Sequence, residues 1–260
     1  MSAYRPRHLA PPSGTSRRSL LRGSALGAMA LSAGTAAAIA PAAQAAGLYG
    51  QDVSGWQGRV DWAAQAAAGS RFSYVKATEG RSYRSPDFDH QYIGAGEAGL
   101  VRGGYHFARP DSGDPEEQVE FFVNNGGGWT SDGITLPGMV DFEAYSGLPR
   151  DYGLSAQEMR EWISGFSIAY RDATGRRPVL YTNLHWWNDV VGDWTPTNSP
   201  LFLASYSSSR PSTLPGRWWG WELWQYSDSG PFAGDSNQWY GSESQFESFV
   251  SSSDYSAIGI

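Results

Sequence analysis

Within the run Met139-Val140-Asp141-Phe142-Glu143-Ala144, two carboxylates stand two residues apart among apolar neighbours. In an extended strand side chains alternate between faces, so Asp141 and Glu143 share one surface while Val140, Phe142 and Ala144 take the other. If that surface lines a cleft, burial and mutual repulsion raise the pKa of one carboxyl while its neighbour stays ionised. An acid and an anion side by side at neutral pH are what glycoside hydrolysis requires. An isolated Asp-x-Glu is also common at the end of a solvated strand, so the weight of this reading falls on the rest of the chain.

The elements that would position such a pair alternate along the sequence. Strand-like segments at 48–53, 72–77, 101–107 and 139–144 are each followed by a helical pattern: Asp61 to Ala68, Ser85-Pro86-Asp87 toward Ala98, Asp114-Pro115 through Val123, and Ser155 to Ala173. The last of these helices has a capping box in Ser155 and Glu158 and one apolar face in Met159, Trp162, Ile163, Phe166 and Tyr170. Further strands are expected at 178–182, 201–204, 222–226 and near 236–240, joined by segments rich in Ser, Gly and Pro. Five strand-helix units followed by a strand-only end predict an α/β barrel that begins as βα repeats and closes with antiparallel strands. The competing arrangement is an open α/β sheet.

In a barrel of parallel strands, functional groups gather at the strands' C-terminal ends. Asp52 ends the first strand, Lys76 and Glu79 lie at the end of the second, and Tyr105 and His106 lie in the third. Asp141 and Glu143 end the fourth, Tyr181 is in the fifth, Tyr206 follows the sixth, Trp224 and Gln225 lie in the seventh, and Asp235 follows the last loop. Asp52, Asp141, Glu143 and Asp235 are therefore candidate catalytic groups. Tyr74, Lys76, Tyr105, His106, Tyr181, Tyr206, Trp224 and Gln225 are candidate substrate contacts, since aromatic faces beside carboxylates suit a sugar. A lone strand histidine such as His106 is more often a hydrogen-bonded packing residue than a base or metal ligand, and Trp224 competes with plain core positions. Neither a Gly-rich phosphate loop nor a Gly-x-Ser-x-Gly elbow occurs, and the four histidines have no zinc-like spacing. No metal or cofactor is expected.

Composition narrows the partners. The 260 residues include no Cys, 12 Trp and a net charge of −7. Five of the arginines precede residue 47, where no acid occurs, so the remainder carries 14 basic against 26 acidic residues. Nucleic acid and anionic membrane surfaces are poor partners for so acidic a chain. Residues 1–45 read as an address: Ser16-Arg17-Arg18-Ser19-Leu20-Leu21 is a twin-arginine export pattern, a small-residue apolar stretch follows, and Ala43-Gln44-Ala45 is a cleavage signal. A secreted, monomeric, single-domain protein spanning residues 46–260 is expected.

Taken in order, Asp52-Val53-Ser54-Gly55-Trp56-Gln57-Gly58, Lys76-Ala77-Thr78-Glu79-Gly80, Gly104-Tyr105-His106-Phe107, Val140-Asp141-Phe142-Glu143, Leu180-Tyr181-Thr182-Asn183 and Trp224-Gln225-Tyr226-Ser227 resemble the family 25 glycoside hydrolases, the N-acetylmuramidase lysozymes. The resemblance runs from about residue 50 to about residue 240. It implies a modified TIM-like (β/α) barrel with five βα units and three closing strands. It also implies hydrolysis of the β-1,4 bond after N-acetylmuramic acid in peptidoglycan glycan strands, with Glu143 as general acid, Asp141 as its partner, and Asp52 and Asp235 on the first and last strands. After Asp235 the residues Ser236-Asn237-Gln238-Trp239 depart from the family's usual apolar flanks around an Asn. Two other classes fit parts of the pattern. One is a non-catalytic secreted sugar-binding protein on the same barrel. The other is a chitinase-like hydrolase, which would carry Asp-x-x-Asp-x-Asp-x-Glu where this chain has Ile-Thr-Leu-Pro-Gly-Met at 134–139.

Overall fold

Strand alternation sorts the side chains of this protein between a barrel interior and a surrounding helical layer. The computed structural model describes residues 47–254, so the export pattern lies outside the described residues. The elements are β1 (Tyr49–Val53), α1 (Trp62–Ala67), β2 (Ser70–Glu79), β3 (Tyr83–Arg84), α2 (Phe88–Glu97), β4 (Val101–Phe107), α3 (Pro115–Phe122), β5 (Met139–Phe142), α4 (Ala156–Thr174), β6 (Val179–Asn183), α5 (Leu184–Val190), β7 (Leu201–Ala204), β8 (Leu223–Ser227), β9 (Asp235–Trp239) and α6 (Glu243–Ser251). The wall runs β1-β9-β8-β7-β6-β5-β4-β2 and closes through β1 against β2, with β3 a short hairpin edge on β2.

The closing strands differ from expectation. From β2 to β8 every pairing between neighbours in the wall is parallel, and only β9 runs antiparallel, against both β8 and β1. Connection length explains the difference. The segment 205–222 is long enough to return the chain to the starting end of the barrel, so β8 enters parallel to β7 although the crossover contains no helix. The segment 228–234 is short and permits only an antiparallel return.

Between barrel and helices lies a large apolar layer that includes Val75, Val140, Phe142, Leu180, Trp186 and Trp187 from the wall and α5, with Phe122, Trp162, Ile163 and Phe166 from α3 and α4. The capping box of α4 forms as the sequence predicts, with Ser155 accepting from the Glu158 N–H, and the helix ends at Gly175 in the left-handed region. The barrel's lower half is filled by Phe72, Tyr74, Met139, Val179, Phe202, Leu223 and Trp239. Gly50 makes room there: a Cβ on it would lie 2.4 Å from the Phe72 carbonyl oxygen and 2.6 Å from its ring.

Below these residues, α6 closes the end of the barrel with Phe246, Phe249 and Val250. By composition the segment after Gly241 is a Ser-rich tail. The Ser242–Gln245 capping box and the apolar residues at i, i+3 and i+4 mark the helix instead. With one end sealed, polar groups facing inward can reach solvent only at the other.

Candidate active site

Strand register brings the inward residues of the last turn of the wall to one level. Phe107 stands opposite Asp141, Ala204 opposite Gln225, Gln225 opposite Asn237, and Asp52 opposite Asp235. On one side of this mouth, β5 presents Asp141, and the chain just beyond it presents Glu143. Asp141 is 6% exposed, and its Oδ1 has no hydrogen-bond partner. Glu143 is half-buried at the strand's end, where its carbonyl accepts a hydrogen bond of 2.6 Å from the Tyr152 hydroxyl. Tyr152 adopts φ 56, a left-handed conformation that a tyrosine holds only when its surroundings fix it.

Both acids on this side hold their protons tightly. Burial, then the nearby Glu143 carboxyl, pushes Asp141 well above the usual carboxylate range. Burial raises Glu143 to about 7, against the lowering effect of Lys76. Lys76 itself is anchored by a chain of ion pairs. Its Nζ lies 2.8 Å from Glu79, Glu79 is 3.2 Å from Arg109, and Arg109 makes two contacts of 2.9 Å with Asp111. Arg109 also lies 4.0 Å from the ring of Tyr145, whose edge contact with Phe107 continues the rim.

The opposite side is built differently. Asp52 Oδ2 accepts from Gln225 Nε2 and from Asn237 Nδ2, both at 2.9 Å, and Asp235 Oδ2 accepts from the same Gln225 nitrogen at 3.1 Å. Gln225 Oε1 in turn accepts from the hydroxyls of Tyr181 and Tyr206, at 2.8 and 3.1 Å. Burial raises Asp52 to about 6 while its two amide donors oppose the rise. Burial, then the charges of Asp52, Asp228 and Glu143, raises Asp235 to about 8. Tyr105 and Tyr181 are buried in the same ring of side chains, and their phenols are pushed well above the usual tyrosine range by burial and by these acids.

The structure brings Asp52, Lys76, Tyr105, Asp141, Glu143, Tyr181, Tyr206 and Asp235 together, and it removes four sequence-based substrate contacts from direct reach. Tyr74 points inward but sits lower, fully buried, with its hydroxyl donating to the Pro137 carbonyl. His106 has the opposite strand parity from Tyr105 and faces the helices. There it bonds Thr78 and Gln118 and stacks on Phe166, and burial lowers its pKa to about 4. Trp224 likewise points outward, packs on Trp221 and donates to the Ser205 carbonyl. Gln225 points inward but is saturated by protein partners. Arg109, Asn237 and Tyr152 escaped the sequence reading. Only Asn237 had a legible signal, two residues from Asp235 on one strand face. Among the described residues no group of three His, Cys, Asp or Glu is arranged to hold a metal ion, and no helix is long and apolar enough to cross a membrane.

A barrel sealed at one end, with paired carboxyls and aromatic side chains at the other, is the arrangement of a glycoside hydrolase. Residues 51–235 match the family described as Glycosyl hydrolases family 25, and the chain belongs to that family. It is 45% identical over 228 residues to an N,O-diacetylmuramidase of Arthroderma benhamiae, covering 85% of this chain and 96% of that protein. It is 41% identical over 207 residues to Lysozyme M1 of Streptomyces globisporus, covering 77% of this chain and 70% of that protein. Among solved structures, a family GH25 lysozyme from Aspergillus fumigatus superposes with a TM-score of 0.77 at 43% identity, over 79% of this chain and 99% of that one.

Proposed function

We propose that this protein is an N-acetylmuramidase that hydrolyses the β-1,4 bond between N-acetylmuramic acid and N-acetylglucosamine in peptidoglycan, and so lyses bacterial cell walls. The observation that carries the proposal is the pair at the end of β5: a half-buried Glu143 that keeps its proton up to about pH 7 beside a buried Asp141 with an unpartnered oxygen. Glu143 donates its proton to the leaving glycosidic oxygen. Asp141 orients the substrate's 2-acetamido group toward the anomeric carbon, which favours retention through an oxazolinium-type intermediate. Asp52 stabilises positive charge developing on the sugar from the opposite side, with Asp235 beside it. Lys76, Tyr105, Tyr181 and Tyr206 contact the glycan, and the chemistry uses carboxyls and water alone.

The twin-arginine pattern and the cleavage signal after it support export to the outside of the cell, where peptidoglycan is the partner of a monomeric enzyme. The acidic balance of the chain disfavours nucleic acid and membrane surfaces as competing partners. The test is release of new reducing ends from purified peptidoglycan with none from chitin. Equal release from both substrates would favour a chitinase-like enzyme, and binding without release would favour a sugar-binding protein. NMR of the first-formed anomer separates the routes: a β product fits retention, whereas an α product rules it out.

A further inference from the structure

Gln225 is 1% exposed, and every hydrogen-bonding capacity of its side-chain amide is used. An amide offers two N–H donors and an oxygen with two acceptor sites. Here the donors go to Asp52 and Asp235, and the oxygen accepts from Tyr181 and Tyr206. Turning the amide over would set its oxygen against two carboxyls, so the phenols and the acids together fix one orientation. Asn237 adds a second donor to Asp52 and none to Asp235.

We infer that Gln225 is a positioning residue: oriented by Tyr181 and Tyr206, it locks the Asp52 and Asp235 carboxyls in one register and, with Asn237, makes Asp52 the anionic member and Asp235 the proton-bearing member of the pair. The inference rests on the muramidase reading and deepens it, by giving the second pair of acids a fixed division of labour. Donor count is the physical basis, because each N–H donated to a carboxylate favours its charged form. The surroundings oppose any further negative charge. The charge of Asp52 acts on Asp235 of β9, on Asp141 of β5 and on Glu143 just beyond it, and Asp228 acts on Asp235 from the loop. The positive charge of Lys76 on β2 acts on the β5 acids, and the buried phenols of Tyr105 on β4 and Tyr181 on β6 complete the ring. One proton therefore stays on the pair, on the member with fewer donors. Tyr206, 42% exposed, carries this network to the lip of the mouth.

Ionisation can be followed without turnover by carbon-13 labelling of the aspartate carboxyls and NMR titration, with Asp52→Asn and Asp235→Asn assigning the signals. In Gln225→Met, which keeps the shape and loses the donors, the Asp52 carboxyl is expected to titrate about one pH unit higher. The acid limb of peptidoglycan hydrolysis should move with it, with kcat falling and KM within about twofold of the parent. Tyr206→Phe keeps the ring at the lip and should give a smaller shift of the same sign. An unchanged Asp52 titration in folded Gln225→Met overturns the inference. If that variant does not fold, an unchanged titration in Tyr206→Phe overturns it equally. A parent protein without hydrolytic activity would count against the muramidase reading, while the titrations would still decide the part played by Gln225.

Discussion

The two sides of the barrel mouth hold acids in opposite ways. On the β1 and β9 side each carboxyl accepts a hydrogen bond from the one amide of Gln225, and that amide is itself held by two phenols. On the β5 side Asp141 is buried with one oxygen unpartnered, and the positive charge that acts on it is the tethered ammonium of Lys76. Satisfied groups are stable in one geometry and have little left to offer a ligand. An unsatisfied buried oxygen is costly unless a ligand or a proton completes it. The difference is what the proposed roles require: chemistry that changes partners at the end of β5, and a fixed electrostatic background on the other side.

The sharpest way to break this comparison is to remove the proposed proton donor. Glu143→Gln preserves shape but has no acidic proton, so hydrolysis of peptidoglycan should fall by about 10²-fold or more. Asp235→Asn replaces a carboxyl that is already proton-bearing near neutrality by a neutral isostere, and the loss should stay within about tenfold. Reducing-end assays on both folded variants check the order. Similar losses in both would erase the distinction between the two sides.

Lys76 offers a smaller but signed effect. Its positive charge lowers Asp141 and Glu143, so Lys76→Met should raise Glu143 further and move the alkaline limb of the pH profile up by about one unit. Glu79→Gln removes the anion paired with Lys76, and the same limb should move down. Shifts of the same sign in the two variants would show that Lys76 acts through contact with the glycan and not through its charge.

The sequence made the β5 pair legible because a period of two puts Asp141 and Glu143 on one face whatever the fold around them. Position near a strand end is a weaker guide: it gives height in the barrel but not face. Position alone therefore puts both Tyr105 and His106, adjacent in sequence, at the mouth, while strand parity sends the histidine outward to Gln118 and Phe166. Trp224 and Gln225 divide in the same way. The parallel entry of β8 depended on the reach of an irregular connection, and the part played by Asn237 on starting β9 at Asp235, not at Ser236. The ion-pair chain through Arg109 joins residues from β2 and the loop after β4, a contact no local pattern encodes.

Stability against pH gives the smallest expected effect and bears on both sides at once. Asp52, Glu143 and Asp235 are raised from 3.8, 4.5 and 3.8 to about 6, 7 and 8 in the folded protein. The folded state therefore binds protons that the unfolded chain has already released between pH 4 and 8. Under linkage, stability falls as pH rises wherever the native state holds more protons. Unfolding temperature should thus climb as pH is lowered from 8 toward 5, until other groups of the chain begin to protonate. A carboxamide removes the cost of ionisation, so Asp141→Asn and Asp235→Asn should be more stable than the parent at pH 8 and lose much of that advantage near pH 5. A gain of about 1 kcal/mol corresponds to roughly 2–4 °C in a domain of this size. Differential scanning calorimetry across this range measures it. The Gln225 N–H donated to Asp235 should make the gain smaller for Asp235→Asn than for Asp141→Asn, whose carboxyl has an oxygen without a partner. Equal gains would mean that burial alone sets the cost, with the hydrogen bonds through Gln225 contributing nothing to it.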